Sequence, residues 1–382
     1  MDGSASDFAL SEFGCNYCDE FIANRLVRLD MNTGAFISGL ANLVDRVKAE
    51  GRGKKYDCIV GVSGGLDSSW VLYQAHALGL RPLAVHMDNG WNSELATHNI
   101  RKLVEKLDID LYTYVIDWSE YRSLLRAFLD SDVIDLELLY DNAATAVCYA
   151  QARAYGIRAI LSGSNTATEG FRMPPGWSWK DKRDVRNIKA IGRSRGVRLK
   201  TFPSFSNLDL LWHRFVLGIE WIPFLDYTRY EKEEALTTLE REIGFKRYPY
   251  KHYESVFTRF YQGHILPEKF KVDKRKVHLS TLILTSQISR KDALDLLAEN
   301  AYGSEIELRR DMRFILKKLD VSAEDFEAYL ERPERSHDEW RTEAGSTRIY
   351  RTIRWGARFF RKFRAVLEAL IFKRSLGGVG PN

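Results

Sequence analysis

The residues with the clearest chemical content are Val62-Ser63-Gly64-Gly65-Leu66-Asp67-Ser68-Ser69. A helix that starts here would present unsatisfied N–H groups and a positive dipole end, which receive anions. Gly64 and Gly65 permit close backbone approach and unusual φ values. Ser63, Ser68 and Ser69 add hydroxyl donors, and Asp67 can hold Mg²⁺ against phosphate oxygens. The spacing and the Lys of a Walker loop are both missing, so no fixed cation meets a transferring γ-phosphate. A grip on pyrophosphate through Ser and backbone groups suits cleavage between the α- and β-phosphates, which is adenylation.

Such a loop needs a strand before it and a helix after it. Tyr56–Val62 is a short apolar run of the kind that forms a strand buried on both faces, and Leu66–Leu78 reads as a helix stopped by Gly79. Further strands are expected at Pro82–His86, Leu111–Ile116 and Ala159–Ser162, separated by helical stretches at about 92–107 and 120–154. Four apolar strands joined by crossovers of this length predict an α/β fold, a doubly wound parallel sheet, with ligands at the carboxyl ends of the strands. Those ends carry Ser63–Ser69, His86–Asn89 and Ser162–Glu169, which includes Gly163. Beyond residue 205 the segments read as helical and rich in aromatics, with amphipathic helices at Arg290–Asn300 and Glu305–Leu319. The expected division is a lead at 1–55, a nucleotide-binding α/β domain at 56–204, a helical region at 205–340 and a tail at 341–382.

The composition narrows the class. The chain has 382 residues, 45% hydrophobic and 29% charged, as a soluble globular protein of about two domains would. No apolar run reaches the roughly 20 residues of a membrane span, and no signal peptide opens the sequence, so a cytoplasmic location is expected. Four cysteines cannot make a secreted disulfide framework. The net charge is +5, yet residues 341–382 alone carry +8 and the preceding 340 carry −3. The body therefore offers no basic field for nucleic acid. The tail combines its arginines with Ile349, Ile353, Trp355, Phe359, Phe360 and Phe363, among others. That is a basic amphipathic helix, suited to covering its own domain or to peripheral contact with an anionic inner-membrane surface.

Residues Ser63–Ser68 match without a gap the Ser-Gly-Gly-x-Asp-Ser signature of PP-loop ATP pyrophosphatases, which the chain resembles. The resemblance implies a PP-loop/HUP-like fold, ATP with Mg²⁺, and an adenine held by the backbone at Val85, His86 and Met87, with Asp88-Asn89 beside it. Three further stretches narrow it: Cys15-Asn16-Tyr17-Cys18-Asp19, Gly163-Ser164-Asn165-Thr166-Ala167-Thr168-Glu169, and Lys251-His252-Tyr253-Glu254-Ser255-Val256-Phe257-Thr258-Arg259-Phe260-Tyr261-Gln262. With Leu266–Phe270 and Asp273–Arg275 they are similar to the N-acetyl sugar amidotransferases of bacterial surface-polysaccharide (LPS O-antigen-type) assembly. The resemblance implies that an acetamido group on a nucleotide-linked sugar is adenylated and that ammonia then displaces AMP to leave an acetamidino group.

On that reading Lys251 and Arg259 neutralise developing phosphate charge. Glu254 or Glu169 accepts a proton from ammonia. No cysteine stands at position 2 or in a Gly-Cys-Gly turn, and Cys58 and Cys148 read as inert core residues. Ammonia is therefore expected from a separate glutaminase subunit, with a barrel-type companion. Cys15 and Cys18 are half of a zinc site; relatives carry a second, earlier pair that the first 14 residues here lack, so either the site is degenerate, or a His completes it, or the metal is gone. Two other readings stand beside this one, a PP-loop tRNA thiolase and an inactive PP-loop scaffold.

Overall fold

A computed structural model describes residues 1–12, 14–26, 34–249 and 253–343. Lys251 and the tail from residue 344 onward lie outside the described residues, and with them the expectation of a basic amphipathic helix. Five parallel strands form one sheet: β1 (Cys58–Gly61), β2 (Pro82–Asp88), β3 (Leu111–Val115), β4 (Ala159–Ser162) and β5 (Glu220–Pro223), in the order β3-β2-β1-β4-β5. In register, Ile59 lies beside Leu83 and Ile160, and Ile160 beside Trp221. Buried β1 and β4 are continuously apolar because helices cover both faces.

The helices that open the chain and wind the sheet are α1 (Asn16–Asn24), α2 (Gly34–Glu50), α3 (Leu66–Ala77), α4 (Glu94–Leu107), α5 (Trp118–Asp130) and α6 (Leu138–Ala154). Side chains of α2, α3 and α4 share one apolar cluster with Val60, Leu161 and Ile222. Those of α5 and α6 share the other with Ile59, Val85 and Ile160. The doubly wound sheet expected from the strand pattern is thus present, with a helical C-terminal region after it. The chain steps outward from β1 to β2 and β3, then returns to the far side of β1 for β4. That reversal opens a crevice between the carboxyl ends of β1 and β4, the usual ligand position of such sheets.

The expected division needs two corrections. The fifth strand comes from beyond residue 204, inside the stretch read as helical, so the sheet does not end at the proposed boundary. Only four residues pair, and half of them are polar or proline, which hides the strand in an aromatic-rich stretch. The lead at 1–55 is not separate either. Tyr17 and Phe21 of α1 stack on Phe171 at 6.2 and 5.6 Å, and Val47 of α2 is fully buried under the sheet. Both apolar clusters run across the proposed boundaries.

Among the described residues no helix is long and apolar enough to cross a membrane.

Candidate active site

The loop sits in the crevice. Gly64 adopts φ +83°, and a Cβ there would lie 2.8 Å from the Ala96 carbonyl oxygen, so only glycine fits between the turn and α4. Gly163, at the end of β4, passes so close to α3 that a Cβ would meet the Ser68 nitrogen at 3.0 Å. The Ser63 hydroxyl accepts from Gly65 N–H at 3.3 Å, and the Ser68 hydroxyl donates to the Gly65 carbonyl at 3.2 Å. Gly65 caps α3 with no side-chain hydrogen bond, so that helix end keeps donors for an external acceptor. The Ser69 hydroxyl is buried and has no hydrogen-bond partner among the described residues. A buried polar atom left in this state costs roughly 1–3 kcal/mol.

Two residues outside the motif fix the loop. The Tyr248 hydroxyl donates to the Gly64 carbonyl at 2.8 Å, and the Tyr230 hydroxyl donates to the Asp67 carboxylate. Burial first, and the Asp67 charge second, push the Tyr230 phenol far up, so it stays a donor. Neither tyrosine carries a local sequence signal, because each lies more than 160 residues from its partner in the chain.

Two cavities meet at the loop. The larger, about 890 Å³, is walled by Val85, Met87, Leu161, Ser164 and Trp221. The smaller, about 460 Å³, holds Asp67, Ser68, Glu169, Glu254 and His278. Ser63, Ser162 and Gly163 line both, so the space is continuous across the switch point. The volumes suit small-molecule ligands. Close glycine approaches, the uncapped N-terminus of α3 and the Ser63 and Ser68 hydroxyls fit a nucleoside triphosphate, with Asp67 placed to hold a divalent cation beside it.

The structure brings together Ser63, Gly64, Gly65, Asp67, Ser68, Gly163, Glu169 and Glu254, and it lines the larger cavity with Val85 and Met87; Ser69 is buried in α3 and lines neither cavity. His86 is buried below that wall: its Nδ1–H donates to the Val62 carbonyl at 2.8 Å and its Nε2 accepts from Asn92 at 2.9 Å. The proton position is assigned from these partners. Asp88 and Asn89 accept from the backbone of Gly90 and Trp91 and shape the next turn.

Arg259 is a correction. It faces neither cavity, but pairs with buried Asp311 at 2.6 Å, where the Tyr302 hydroxyl also donates. The helical period of Val256–Phe260 points it inward, away from the loop.

Sequence reasoning missed a second polar group. Lys182 donates to Asp135 at 2.7 Å and approaches Asp141 at 3.0 Å; Lys182 and Asp141 line the larger cavity. Burial raises the Asp141 carboxyl, and Glu137 and Asp135 add to the shift against the pull of Lys182. Asp141 falls in α6 with no motif around it.

Cys58 is fully buried and its thiol is pushed up by burial. Cys148 lies at the cavity wall, and burial pushes its thiol up to about 12, so it is no nucleophile at neutral pH. Cys15 and Cys18 place their sulfurs 3.4 Å apart at the start of α1. Among the described residues no three His, Cys, Asp or Glu side chains gather as metal ligands, so this pair does not fit a closed zinc site.

The segment that closes over the loop decides the relationship. Ser93 N–H donates to the Glu254 carbonyl at 2.9 Å, and Val256 N–H to the Trp91 carbonyl at 2.8 Å, pinning residues 254–256 beside α4. Residues 254–354 match the family described as LPS biosynthesis protein WbpG-like, C-terminal domain. This segment is similar to that family. The WbpG-like segment thus begins with a residue of the smaller cavity. No curated protein matches the chain.

Among solved structures, the NMN synthetase from Francisella tularensis aligns at 15% identity over 56% of this chain and 97% of its own, with a TM-score of 0.29. The NH3-dependent NAD synthetase from Campylobacter jejuni subsp. jejuni aligns at 14% identity over 55% and 93%, with a TM-score of 0.28. A predicted subunit of tRNA methyltransferase from Methanocaldococcus jannaschii aligns at 14% identity over 48% and 76%, with the same TM-score of 0.28.

Proposed function

We propose that the protein is an ATP-dependent N-acetyl sugar amidotransferase of LPS O-antigen-type assembly, acting on a nucleotide-linked sugar. The observation that carries the reading is Glu254. The first residue of the WbpG-like segment stands against the phosphate loop, its carboxylate 3.5 Å from where a Gly65 Cβ would be. A segment of LPS-biosynthesis type and a pyrophosphate-gripping loop therefore share one cavity.

The loop hydroxyls of Ser63 and Ser68 and the N–H groups of α3 take the phosphates of ATP as co-substrate. Asp67, steadied by Tyr230, would hold Mg²⁺, which supplies charge neutralisation at those phosphates. The acetamido oxygen attacks the α-phosphorus and pyrophosphate leaves. Ammonia then adds to the imidate carbon, a proton passes to a carboxylate, and AMP departs with the former acetamido oxygen. The acceptor is drawn from Glu254, Glu169 and Asp141, whose carboxyl burial raises. Lys251, three residues before Glu254, is proposed to neutralise phosphate charge. Ammonia is supplied by a separate glutaminase subunit, with a barrel-type companion, and the +8 tail provides peripheral membrane contact.

The test is pyrophosphate release from ATP with ammonium and a panel of nucleotide-linked N-acetyl sugars. Release that requires a sugar nucleotide, and that glutamine does not support for the chain alone, is expected. Release only with tRNA and a sulfur donor would make it a thiolase, a reading the high thiol of Cys148 disfavours. No release and no ATP binding would make it a scaffold.

A further inference from the structure

The larger cavity extends past the loop to β5, where the loop chemistry needs nothing. Five basic side chains line it: Arg46, Lys180, Lys182, Arg183 and Arg214. Four have acidic partners, with Arg46 on Glu220 at 3.1 Å, Lys180 on Asp338 at 3.6 Å, Lys182 on Asp135 at 2.7 Å and Arg183 on Asp181 at 3.5 Å. Arg214 has no acidic partner among the described residues, and its Nε is buried with no hydrogen-bond partner. A guanidinium held this way costs free energy unless an anion meets it. It is carried on a π-helical turn, Trp212–Val216, a geometry frequent at functional sites.

Trp221 lines both cavities and is 40% exposed, although it sits on a sheet strand. Its buried side stacks on Tyr149 at 6.0 Å and 24°, and Tyr149 stacks on Phe205 at 4.3 Å and 15°. The indole is thus backed by a rigid aromatic column while part of it stays open. An exposed, supported Trp that shares a cavity with an Arg lacking an acidic partner is the chemistry that receives a planar base linked to phosphate.

Position separates this place from the adenine wall. Val85 and Met87 belong to β2, and Trp221 to β5, three strand steps away, or about 14 Å at the usual spacing. The loop and Gly163 lie between them on β1 and β4. Two nucleotides can therefore approach from opposite edges, with their phosphates converging over the loop.

We propose that Arg214 and Trp221 form the subsite for the nucleoside diphosphate of the sugar substrate, Trp221 stacking the base and Arg214 pairing with its phosphate oxygens. The proposal rests on the sugar-nucleotide reading above. It sets where the nucleotide that stays linked to the sugar lies, and hence that the acetamido group reaches the α-phosphorus from the β5 side.

The test uses the full chain with the loop saturated by α,β-methylene-ATP, so that added nucleotide reports only on a second site. Calorimetric titration of UDP, dTDP and GDP should show binding of at least one of them. Arg214→Gln and Trp221→Leu should each weaken that binding tenfold or more, Trp221→Phe less than threefold, and Arg214→Lys should recover part of the loss. In Arg214→Gln and Arg214→Lys the affinity for the ATP analogue should stay at the wild-type value. Unchanged diphosphate binding in Arg214→Gln and Trp221→Leu, or a parallel loss of ATP-analogue affinity in Arg214→Gln, would overturn the subsite and leave the amidotransferase reading intact. If the wild-type chain takes up no nucleoside diphosphate and no sugar nucleotide beside the ATP analogue, the sugar-nucleotide reading falls, and this subsite with it.

Discussion

Two regions that resemble known family motifs are built in opposite ways. In the phosphate loop, hydroxyls bond one another weakly, at 3.2–3.3 Å, the α3 N-terminus has no side-chain cap, and the Ser69 hydroxyl has no partner among the described residues. In the WbpG-like segment several charged side chains are held by partners. Arg259 is held by Asp311, Lys274 by Glu137 at 3.2 Å, and Arg275 by Asp273 and by the carbonyls of Leu296 and Glu299. Lys269 reaches the carbonyls of Tyr329 and Arg332 at 2.5 and 2.6 Å and Asp132 at 3.1 Å. Unsatisfied polar groups mark where a ligand completes the structure; satisfied ones mark where the fold completes itself. The second region brings Glu254 to the loop and holds it there.

The sharpest way to break this contrast is at the loop. Gly64→Ala forces a Cβ into the Ala96 backbone at a positive φ, and ATP-dependent pyrophosphate release should fall by at least about a thousandfold, measured by coupled phosphate assay. Comparable activity in this variant would show that the loop does not grip the nucleotide.

In the second region the effect should appear in stability instead. Arg259→Ala leaves Asp311 buried without its cation and should cost about 3–5 kcal/mol in urea unfolding. The double replacement Arg259→Met with Asp311→Leu should recover most of that, because it removes both desolvation penalties. Pyrophosphate release per folded molecule should stay within about threefold in both. A large activity loss with stability retained would put Arg259 back among the catalytic groups.

A smaller effect is expected from pH. Burial pushes the His337 imidazole down to about 4, and the neutral ring donates from Nδ1 to Asn187 at 2.7 Å and accepts Asp135 N–H at Nε2 at 3.3 Å. The unfolded chain binds this proton near pH 6.5, the native one only near 4, so native stability is full above 6.5 and falls as pH drops toward 4. The loss reaches about 3 kcal/mol at most. Asp184, whose carboxyl burial raises to about 6, acts in the opposite sense across the same window, losing stability as pH rises. The difference between wild type and His337→Gln isolates the histidine: it should shrink as pH falls from 6.5 to 4, and a flat difference would exclude the linkage.

The sequence carried the loop, the first four strands and the parallel topology, because each depends on neighbours within a few residues. Apolar runs specify buried strands, and Gly64 answers a local backbone demand. Glu169 and Glu254 were also legible, as members of motifs. Only the tertiary structure decided that Arg259 turns away from the loop, since its partner Asp311 lies fifty-two residues further on. Only the fold could show that β5 joins the sheet, or that Tyr230, Tyr248, Asp141 and Arg214 border the crevice. Each owes its place to contacts between distant segments, and no local periodicity records which distant side chain will neutralise a charge or leave it free.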